Sequence, residues 1–395
     1  MDRIMERSRQ INVVDQFDTV VVGGGIAGVS AALAAARGGN RVLLCEKMFQ
    51  LGGLATAGLI TIYLPLCDGM GNQLSFGIAE ELLRLSIKHG AEADMPTAWF
   101  CSDHLDDRKQ QRYKVQFNAS VFSILLEKHL TDAGVKILFG TQICDVQISD
   151  HRISHVIMEN KDGRTAVKVK NVIDCTGDAD ICFLAGEETS LYSPGNSLAA
   201  WYYSCDEKGF DLSMVGVLDV EEAEITEDMR ISTPKCYSGT DAAEISQMVL
   251  DSHNQILEHF LRKGDLSKHS LANIPTIPQL RMTRRLCSHS ELKETDVFKR
   301  FADSVGMFGD WRKRGPAYEL PYASLHGSKI KNLGVAGRCI SVSEEMWDVT
   351  RVIPVCAVSG EAIGTAAALF ADFDSADISL LQDKLTAAGV KLHYE

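Results

Sequence analysis

Residues 18–47 of the chain read DTVVVGGGIAGVSAALAAARGGNRVLLCEK. Thr19–Val22 is a short β-branched run, Val29–Arg37 is rich in alanine, and Arg41–Cys45 is a second apolar run. This order predicts a strand, a glycine turn, a helix and a second strand, with Gly38 and Gly39 ending the helix. The stretch therefore favours an α/β fold organised around one βαβ unit.

Three glycines in the turn, Gly23, Gly25 and Gly28, are spaced as G-x-G-x-x-G. The first glycine permits the tight turn, the second lets backbone approach a pyrophosphate, and the third lets the helix pack closely on the strand. The helix N-terminus then presents free N–H groups and the positive end of its dipole to phosphates. Glu46, which closes the second strand, is placed to accept hydrogen bonds from an adenosine ribose. We interpret the stretch as a dinucleotide site rather than a plain βαβ unit, and this signal does not separate FAD from NAD.

Length and charge bound the remaining possibilities. A chain of 395 residues exceeds the usual size of one domain, so we expect two interleaved domains. With 45% hydrophobic residues it can bury a substantial core. The formal net charge of −13 and the absence of a concentrated Lys/Arg stripe argue against a nucleic-acid partner. Any basic clamp for a substrate must therefore be local.

The cysteines and the N-terminal sequence indicate the compartment. Eleven cysteines are scattered without C-x-x-C spacing, which suits a reducing compartment better than a disulfide framework. Residues 1–17 are charged and lack an apolar core, so no signal peptide is predicted. Val20–Ala36 is apolar, but its three consecutive glycines and its short length argue against a membrane span. We expect a cytoplasmic protein with no membrane partner.

A second stretch of small residues, LGGLATAG, covers Leu51–Gly58. Small side chains are needed where backbone lies against a flat ring or a ribityl chain, although an ordinary loop would give the same pattern. Cys67, the next cysteine, stands alone, so we expect no dithiol chemistry at a flavin. A polar stretch follows with several potential metal ligands, but their spacing matches no usual ligand set, so we predict an acidic solvated loop and no metal site. These ligands are Cys101, Asp103, His104, Asp106 and Asp107.

Periodicity predicts the other elements. Helices are expected over Gly77–His89, Phe117–Ala133 (capped by Asn118 or Ser120), Ala242–Arg262 and Ser379–Ala388, with an irregular segment over Ala91–Arg112. Strands are expected over Lys136–Phe139, Ile143–Ile148, Arg152–Glu159, Thr165–Val169, Asn171–Asp174 and Lys331–Ile340. Asp162–Gly163 marks a hairpin turn.

Three later features point towards a ligand. The strand ending at Asp174 is followed by Thr176–Gly177, at the edge where α/β sheets hold ligands. Arg281, Arg284 and Arg285 lie close together, which is more typical of a surface face when seen alone. Pro354 begins an apolar helix in which Gly360 and Gly364 leave one face bare. Because glycine inside a helix is destabilising, something is expected to lie close against that face.

Taken in order, these segments resemble one family, the FAD-dependent oxidoreductases with the glutathione-reductase-like FAD-binding fold. The resemblance runs from about Asp18 to about Phe370. One difference is Met282, which stands where the family's arginine motif commonly has an acidic residue. The motifs that carry the resemblance are G-x-G-x-x-G, GG-x-x-T (Gly52–Thr56), D-x-TG-D-x-D (Asp174–Asp180), R-x-x-RR (Arg281–Arg285), L-P-Y (Leu320–Tyr322), NL-x-VAGR (Asn332–Arg338) and the R-x-x-P helix (Arg351–Ala368).

The resemblance implies FAD rather than NAD, and no second G-x-G-x-x-G follows a strand. It implies an α/β Rossmann-like FAD-binding domain of the three-layer β/β/α type, built from residues 15–60, 116–190 and 329–373. An inserted α+β substrate or cap domain would comprise residues 61–115 and 191–328, with a C-terminal helix and tail over 374–395. The FAD-binding residues implied are Gly23, Gly25, Ile26, Ala27, Gly28, Glu46, Lys47, Gly52, Gly53, Leu54, Ala55, Thr56, Ile143, Thr176, Gly177, Asp178, Gly337, Arg338, Gly360 and Ile363.

The resulting hypothesis is a flavoenzyme that passes a hydride between flavin N5 and a small polar organic substrate, as a dehydrogenase or a C=C reductase. Arg285 and Arg351 are the predicted catalytic residues, because an arginine fork suits a carboxylate or an anionic flavin. The predicted partner is a small-molecule substrate, with a homo-oligomer left open. Two alternatives stay open: a non-redox enzyme that uses the dinucleotide as a scaffold, and a flavin-binding sensor or partner subunit without turnover of its own.

Overall fold

A computed structural model describes residues 4–5, 8–217, 235–264 and 266–394. The helices are α1 (Ile26–Arg37), α2 (Ile78–Ser86), α3 (Thr97–Cys101), α4 (Leu105–Gln110), α5 (Ala119–Asp132), α6 (Asp180–Ala185), α7 (Ala242–Leu261), α8 (Glu344–Thr350), α9 (Ile353–Leu369) and α10 (Ile378–Ala387). The strands of the first half are β1 (Val13–Val22), β2 (Val42–Cys45), β3 (Ile62–Tyr63), β4 (Val115–Gln116), β5 (Lys136–Leu138), β6 (Gln142–Ser149), β7 (Arg152–Asn160), β8 (Gly163–Asp174) and β9 (Thr189–Leu191). Those of the second half are β10 (Asn196–Ser197), β11 (Ala199–Asp206), β12 (Gly209–Gly216), β13 (Cys236–Tyr237), β14 (Ser270–Asn273), β15 (Arg284–Leu286), β16 (Ser304–Gly309), β17 (Ala317–Pro321) and β18 (Leu333–Val335).

The main sheet is mixed, with seven strands. Its strands run in the order β5-β2-β1-β8-β7-β6, and β18 pairs with the end of β8. The pairs of β1 with β2 and β8, of β2 with β5, and of β18 with β8 are parallel, whereas β6, β7 and β8 form an antiparallel meander. Five parallel strands therefore bring their carboxyl ends to one edge, where ligands bind in sheets of this kind.

Helices α1 and α9 pack against each other along their backbones. A Cβ atom at Gly360 would lie 2.8 Å from the Cβ of Ser30, and one at Gly364 would lie 2.9 Å from the backbone carbons of Ala31. Both glycines are fully enclosed by this contact, so the bare face expected from the sequence is confirmed and helix α1 covers it. Pro354 lies in the first turn of α9, where its missing N–H costs nothing.

A second hydrophobic core lies apart from the main sheet. It joins α7 to strands β11 and β12 and to the segment before β15, through residues such as Tyr202, Met248, Ile256 and Leu280. The α7 helix begins at Asp241, whose side chain accepts a hydrogen bond from the Glu244 N–H. Part of the predicted cap domain, residues 218–234 and 265, and Glu395 of the predicted tail lie outside the described residues.

Most predicted elements are present, with three corrections. The segment predicted to be irregular contains the short helices α3 and α4. The two strands predicted over Thr165–Val169 and Asn171–Asp174 are one strand, β8, because it pairs with β1 along most of its length. The strand predicted over Lys331–Ile340 is only Leu333–Val335. Of the two capping residues predicted for α5, Asn118 is the cap.

Among the described residues, no single helix has the length and apolar composition of a membrane span. Helices α8 and α9 meet those criteria only as a pair, and their axes are bent by 92° relative to each other.

The α1–α9 contact predicts an unusual response to Gly364→Ala. Replacing glycine by alanine within a helix normally stabilises it by about 1 kcal/mol. Here the added methyl would press on the Ala31 backbone, so we expect a loss of about 1–3 kcal/mol in the free energy of unfolding, measured by urea titration. Thr365→Ala, one residue further along α9, is the control and should change it by less than about 0.5 kcal/mol. A Gly364→Ala protein as stable as the wild type would contradict the packing argument.

Candidate functional site

A cavity of about 360 Å³ lies at the carboxyl edge of the main sheet. Residues that directly follow β1, β2, β8 and β18 line it, together with the loop that leads into β6 and the N-termini of α1 and α9. Seventeen predicted site residues lie in its wall: Gly23, Gly25, Ile26, Ala27, Glu46, Lys47, Gly52, Gly53, Leu54, Ala55, Ile143, Thr176, Gly177, Asp178, Gly337, Arg338 and Arg351.

The first two glycines of the G-x-G-x-x-G motif, Gly23 and Gly25, have different roles. Gly23 has a φ of +101°, and a Cβ there would lie 2.7 Å from the carbonyl carbon of Cys175, so this glycine is required by the fold. Gly25 has an ordinary φ of −67°, and a Cβ there would meet nothing within 4 Å. The space beside Gly25 is therefore free for a ligand that approaches the backbone.

Helix α1 begins directly after Gly25, and the first helical hydrogen bond runs from the Val29 N–H to the Gly25 carbonyl. The N–H groups of Ile26, Ala27 and Gly28 belong to the first turn, which has no acceptor within the helix. Ile26 and Ala27 also line the cavity. This helix end can hold an anion such as a pyrophosphate.

Glu46 forms the wall beyond β2 and is 8% exposed. One carboxylate oxygen accepts the Gly24 N–H at 2.6 Å, and the other accepts the Met48 N–H at 2.8 Å. These bonds fix the carboxylate while each oxygen retains lone pairs for further donors, as a ribose contact requires. Lys47 lies beside it in the same wall.

The turn after β8 is organised by Asp174, which is fully buried. Its carboxylate accepts the Thr176 hydroxyl at 2.7 Å, the Thr176 N–H at 3.0 Å, the Ile181 N–H at 2.8 Å and the Cys182 N–H at 3.0 Å. Burial raises the pKa of Asp174, and these donors act in the opposite direction. The carboxylate thus holds the Thr176–Gly177 turn against the cavity.

Arg338 closes the other side of this turn. Its guanidinium donates to the Gly177 carbonyl at 3.2 Å and to the Asp178 carboxylate at 3.2 Å. Gly177 has a φ of +81°, and a Cβ there would lie 2.9 Å from the central carbon of that guanidinium. Glycine at this position therefore allows both the turn and the close approach of the arginine.

Asp180, the last residue of the D-x-TG-D-x-D motif, lies in the cavity wall although it was not among the predicted site residues. Burial, with the nearby charges of Asp178 and Asp174, raises its pKa to about 6, whereas Arg284 and Lys47 lower it. Arg284 pairs with it at 3.1 Å. A negative charge at this wall therefore depends on pH near neutrality.

Arg351 lies in the wall just before α9, as predicted. Its guanidinium pairs with Asp348 at 2.7 Å, and Arg312 lies 3.7 Å from the other oxygen of that carboxylate. Arg312 itself pairs with Asp310 at 2.9 Å. A chain of alternating charges therefore fixes Arg351 beside the N-terminus of α9. The positive end of the helix dipole adds there to the positive charge of the guanidinium.

Four predicted cofactor residues do not line the cavity. Gly28 lies against the Gly23 carbonyl inside the turn, and Gly360 lies against α1. Thr56 is buried and donates its hydroxyl to the Leu51 carbonyl. Ile363 is fully buried, packed against the backbone of Gly334. These residues shape the elements that carry the site and do not face the cavity.

Arg285, the other predicted catalytic residue, is not among the residues that line the cavity. It lies on β15, where neighbouring side chains point to opposite faces. Arg284 faces Asp180, and Arg285 therefore faces the other way, where it pairs with Glu291 at 2.9 Å and lies 5.7 Å from the ring centre of Trp347. The structure therefore places Arg285 in an ion pair with Glu291, whose side chain is 37% exposed.

Five further wall residues carried no signal in the sequence. They belong to two distant segments, before and within α7 and just before β15: Gly239, Ile245, Ile277, Pro278 and Leu280. Apolar residues without a motif are normally assigned to a core, so only the tertiary structure shows that they reach the cavity.

The wall as a whole fits a dinucleotide. It offers open space beside Gly25, a helix N-terminus for two phosphates, a fixed carboxylate for a ribose and a second positive helix end at Arg351. These features lie along one edge of the sheet, because the carboxyl ends of β2, β1, β8 and β18 are side by side there.

Comparison with known proteins gives the same class. The model of the family described as FAD dependent oxidoreductase matches residues 18–200 and 196–385. A thioredoxin reductase of Ureaplasma parvum serovar 3 is 34% identical over 71 residues, which are 18% of this chain and 23% of that protein.

Two solved structures are similar over most of the chain. A geranylgeranyl bacteriochlorophyll reductase-like protein from Thermoplasma acidophilum has a TM-score of 0.50 at 13% identity, covering 94% of this chain and 83% of its own. A p-nitrophenol 4-monooxygenase from Pseudomonas putida has a TM-score of 0.49 at 12% identity, with 94% and 84% covered. At such identities the first likeness concerns the fold alone.

The contrast between Gly25 and Gly23 predicts two separable phenotypes. Gly25→Val fills space that a pyrophosphate would use, so FAD affinity should fall by at least about tenfold, roughly 1.4 kcal/mol, while the unfolding midpoint of the FAD-free protein changes less than in Gly23→Val. Gly23→Val is the comparison variant and should lower that midpoint as well, because it strains the turn and meets Cys175. Retention of FAD by Gly25→Val through dialysis would remove the phosphate assignment.

Proposed function

This chain belongs to the family of FAD-dependent oxidoreductases, and from that premise we propose that it transfers a hydride between flavin N5 and a small organic substrate that presents a polar group to Arg351. The chain binds FAD and is an oxidoreductase. The observation that carries the finer proposal is the position of Arg351, which joins the cavity wall at the N-terminus of α9.

The wall residues divide into those for the cofactor and those for the reaction. The pyrophosphate would bind at the N-termini around Gly25 and Ile26, and the ribose at Glu46. The ring system would lie towards Ala55 and the start of α9. When bound, FAD supplies an acceptor or donor of hydride at N5, and the protein supplies orientation and charge.

Arg351 is suited to stabilise negative charge. Its side chain is 10% exposed, and its ion pair with Asp348 fixes the orientation of the guanidinium. The adjacent helix end adds a fixed positive potential. Together they favour an anionic reduced flavin or a developing oxyanion on the substrate, which is the electrostatic contribution that hydride transfer needs.

We also propose the domain division expected from the sequence, with the FAD-binding segments at residues 15–60, 116–190 and 329–373. The separate hydrophobic core around α7 supports a distinct cap.

Anaerobic reduction tests the function. The FAD-loaded protein is reduced by light, and its reoxidation by candidate acceptors is followed by the return of oxidised-flavin absorbance. Reoxidation by an unsaturated or carbonyl compound, or reduction of the oxidised protein by an alcohol or amine, supports the proposal. Flavin that exchanges electrons with no organic compound would favour a scaffold role or a sensor role instead.

The Arg351–Asp348 pair predicts opposite shifts of the flavin reduction potential. Arg351→Met removes a positive charge and should lower the potential by about 20–65 mV, which corresponds to about 1–3 kcal/mol for a two-electron couple. Asp348→Asn removes the opposing charge and should raise it. Arg262→Met, which removes an exposed arginine directly after α7, is the control and should leave the potential unchanged. Potentiometric titration measures all three, and shifts of the same sign for the two pair variants would contradict the electrostatic role.

A further inference from the structure

We infer that the cap side of the cavity is a binding site for a small neutral compound with an apolar aliphatic or aromatic body. The inference rests on the proposed function, because the reacting carbon must lie beside the flavin. It narrows the expected substrate from a small polar organic compound to an apolar molecule with one polar group. Ile245, Ile277 and Leu280 are the residues that would select it.

The described part of the cap wall is apolar. Gly239, Ile245, Ile277, Pro278 and Leu280 line the cavity from the cap, and Ala57 and Ile353 face it from the cofactor side. Among these seven residues none carries a charged or hydrogen-bonding side chain. Such a surface gains free energy by burying hydrocarbon and loses it by desolvating an ion.

The wall is built into the fold at both ends. The Thr276 N–H donates to the Ala57 carbonyl at 2.8 Å, which fixes the loop of residues 275–280 to the cofactor side. Leu280 belongs to the second hydrophobic core, and the Leu280 N–H closes the loop on the Pro278 carbonyl at 2.9 Å. Ile277, which lines the cavity, lies between these two hydrogen-bonded positions.

The neighbouring cations are engaged elsewhere. Arg281 donates to the Ser197 and Val217 carbonyls at 3.0 and 2.9 Å, behind the wall. Arg284 pairs with Asp180, and Arg285 pairs with Glu291. Three arginines adjacent to the loop are therefore engaged by protein groups, and the cations that line the cavity, Lys47, Arg338 and Arg351, belong to the cofactor side. The described residues that the cap contributes to the wall are apolar.

Ligand-induced change of the flavin absorbance tests the inference without turnover. The FAD-loaded protein is titrated with 4-methylphenol and cyclohexanone as neutral apolar probes, and with succinate as a small dianion. We expect saturable binding of at least one neutral probe and weaker binding of succinate. Ile277→Asn and Ile245→Asn should each weaken the neutral probe by about tenfold or more, the usual effect of altering a hydrophobic pocket.

Ile274→Asn is the matched control, because Ile274 is also half-buried and packs against the second core but is not part of the cavity wall. It should leave the affinity of the neutral probe as in the wild type. If Ile277→Asn does not retain FAD, Ile245→Asn on α7 decides the question. Tighter binding of succinate than of both neutral probes, binding of none of the three, or equal losses in Ile274→Asn and the wall variants would overturn the inference. Selective binding of a neutral probe to a protein whose flavin exchanges no electrons would instead remove the proposed hydride transfer and leave the apolar site standing.

Discussion

The close approach of two helix backbones determines where this protein can hold its cofactor. Helices α1 and α9 touch through Gly360 and Gly364, which lie against backbone atoms of α1 and the Cβ of Ser30. Both helices begin at the edge of the cavity, so their contact fixes the relative position of their two N-termini. A cofactor that spans a phosphate site and a redox site needs these two positive helix ends at a constant separation. The glycines of α9 therefore serve the site from a distance, although they do not line it.

Charge at the site is supplied in a way that suits an acidic protein. The chain carries a formal net charge of −13, yet its cavity must accept anions. It does so with helix N-termini and with arginines whose positions are fixed by a carboxylate, Arg338 by Asp178 and Arg351 by Asp348. Pairing lowers the net field of each guanidinium but removes the entropy cost of ordering it when a ligand binds. Preorganised charge of this kind is effective in a partly enclosed cavity because little reorganisation is needed.

The cofactor half of the site is predictable from sequence because its signals are local. Gly25, Glu46 and Thr176 each follow closely on the end of a strand, and parallel strands bring their ends to one edge whatever the rest of the chain does. Helix α9 could also be predicted, since Pro354 marks its start. The residues that were misplaced depend on tertiary packing. Gly360 and Ile363 share the helix of the site but face α1 and β18, and no local pattern distinguishes those faces from the one at the cavity.

The arginine motif, Arg281–Arg285, is a second case in which the position of a side chain depends on tertiary packing. Three arginines close together attract a functional interpretation, but strand alternation on β15 sends Arg284 and Arg285 to opposite faces, and each finds a carboxylate there. The surface that reaches the cavity instead is made of isoleucine, proline and leucine from two segments about thirty residues apart, which no motif connects. Because this wall is separate from the strand ends where FAD is proposed to bind, we expect substitutions in residues 275–280 to alter what the cavity accepts without altering the cofactor site. This separation follows from the anchoring of one loop to Ala57 and to the core of the cap.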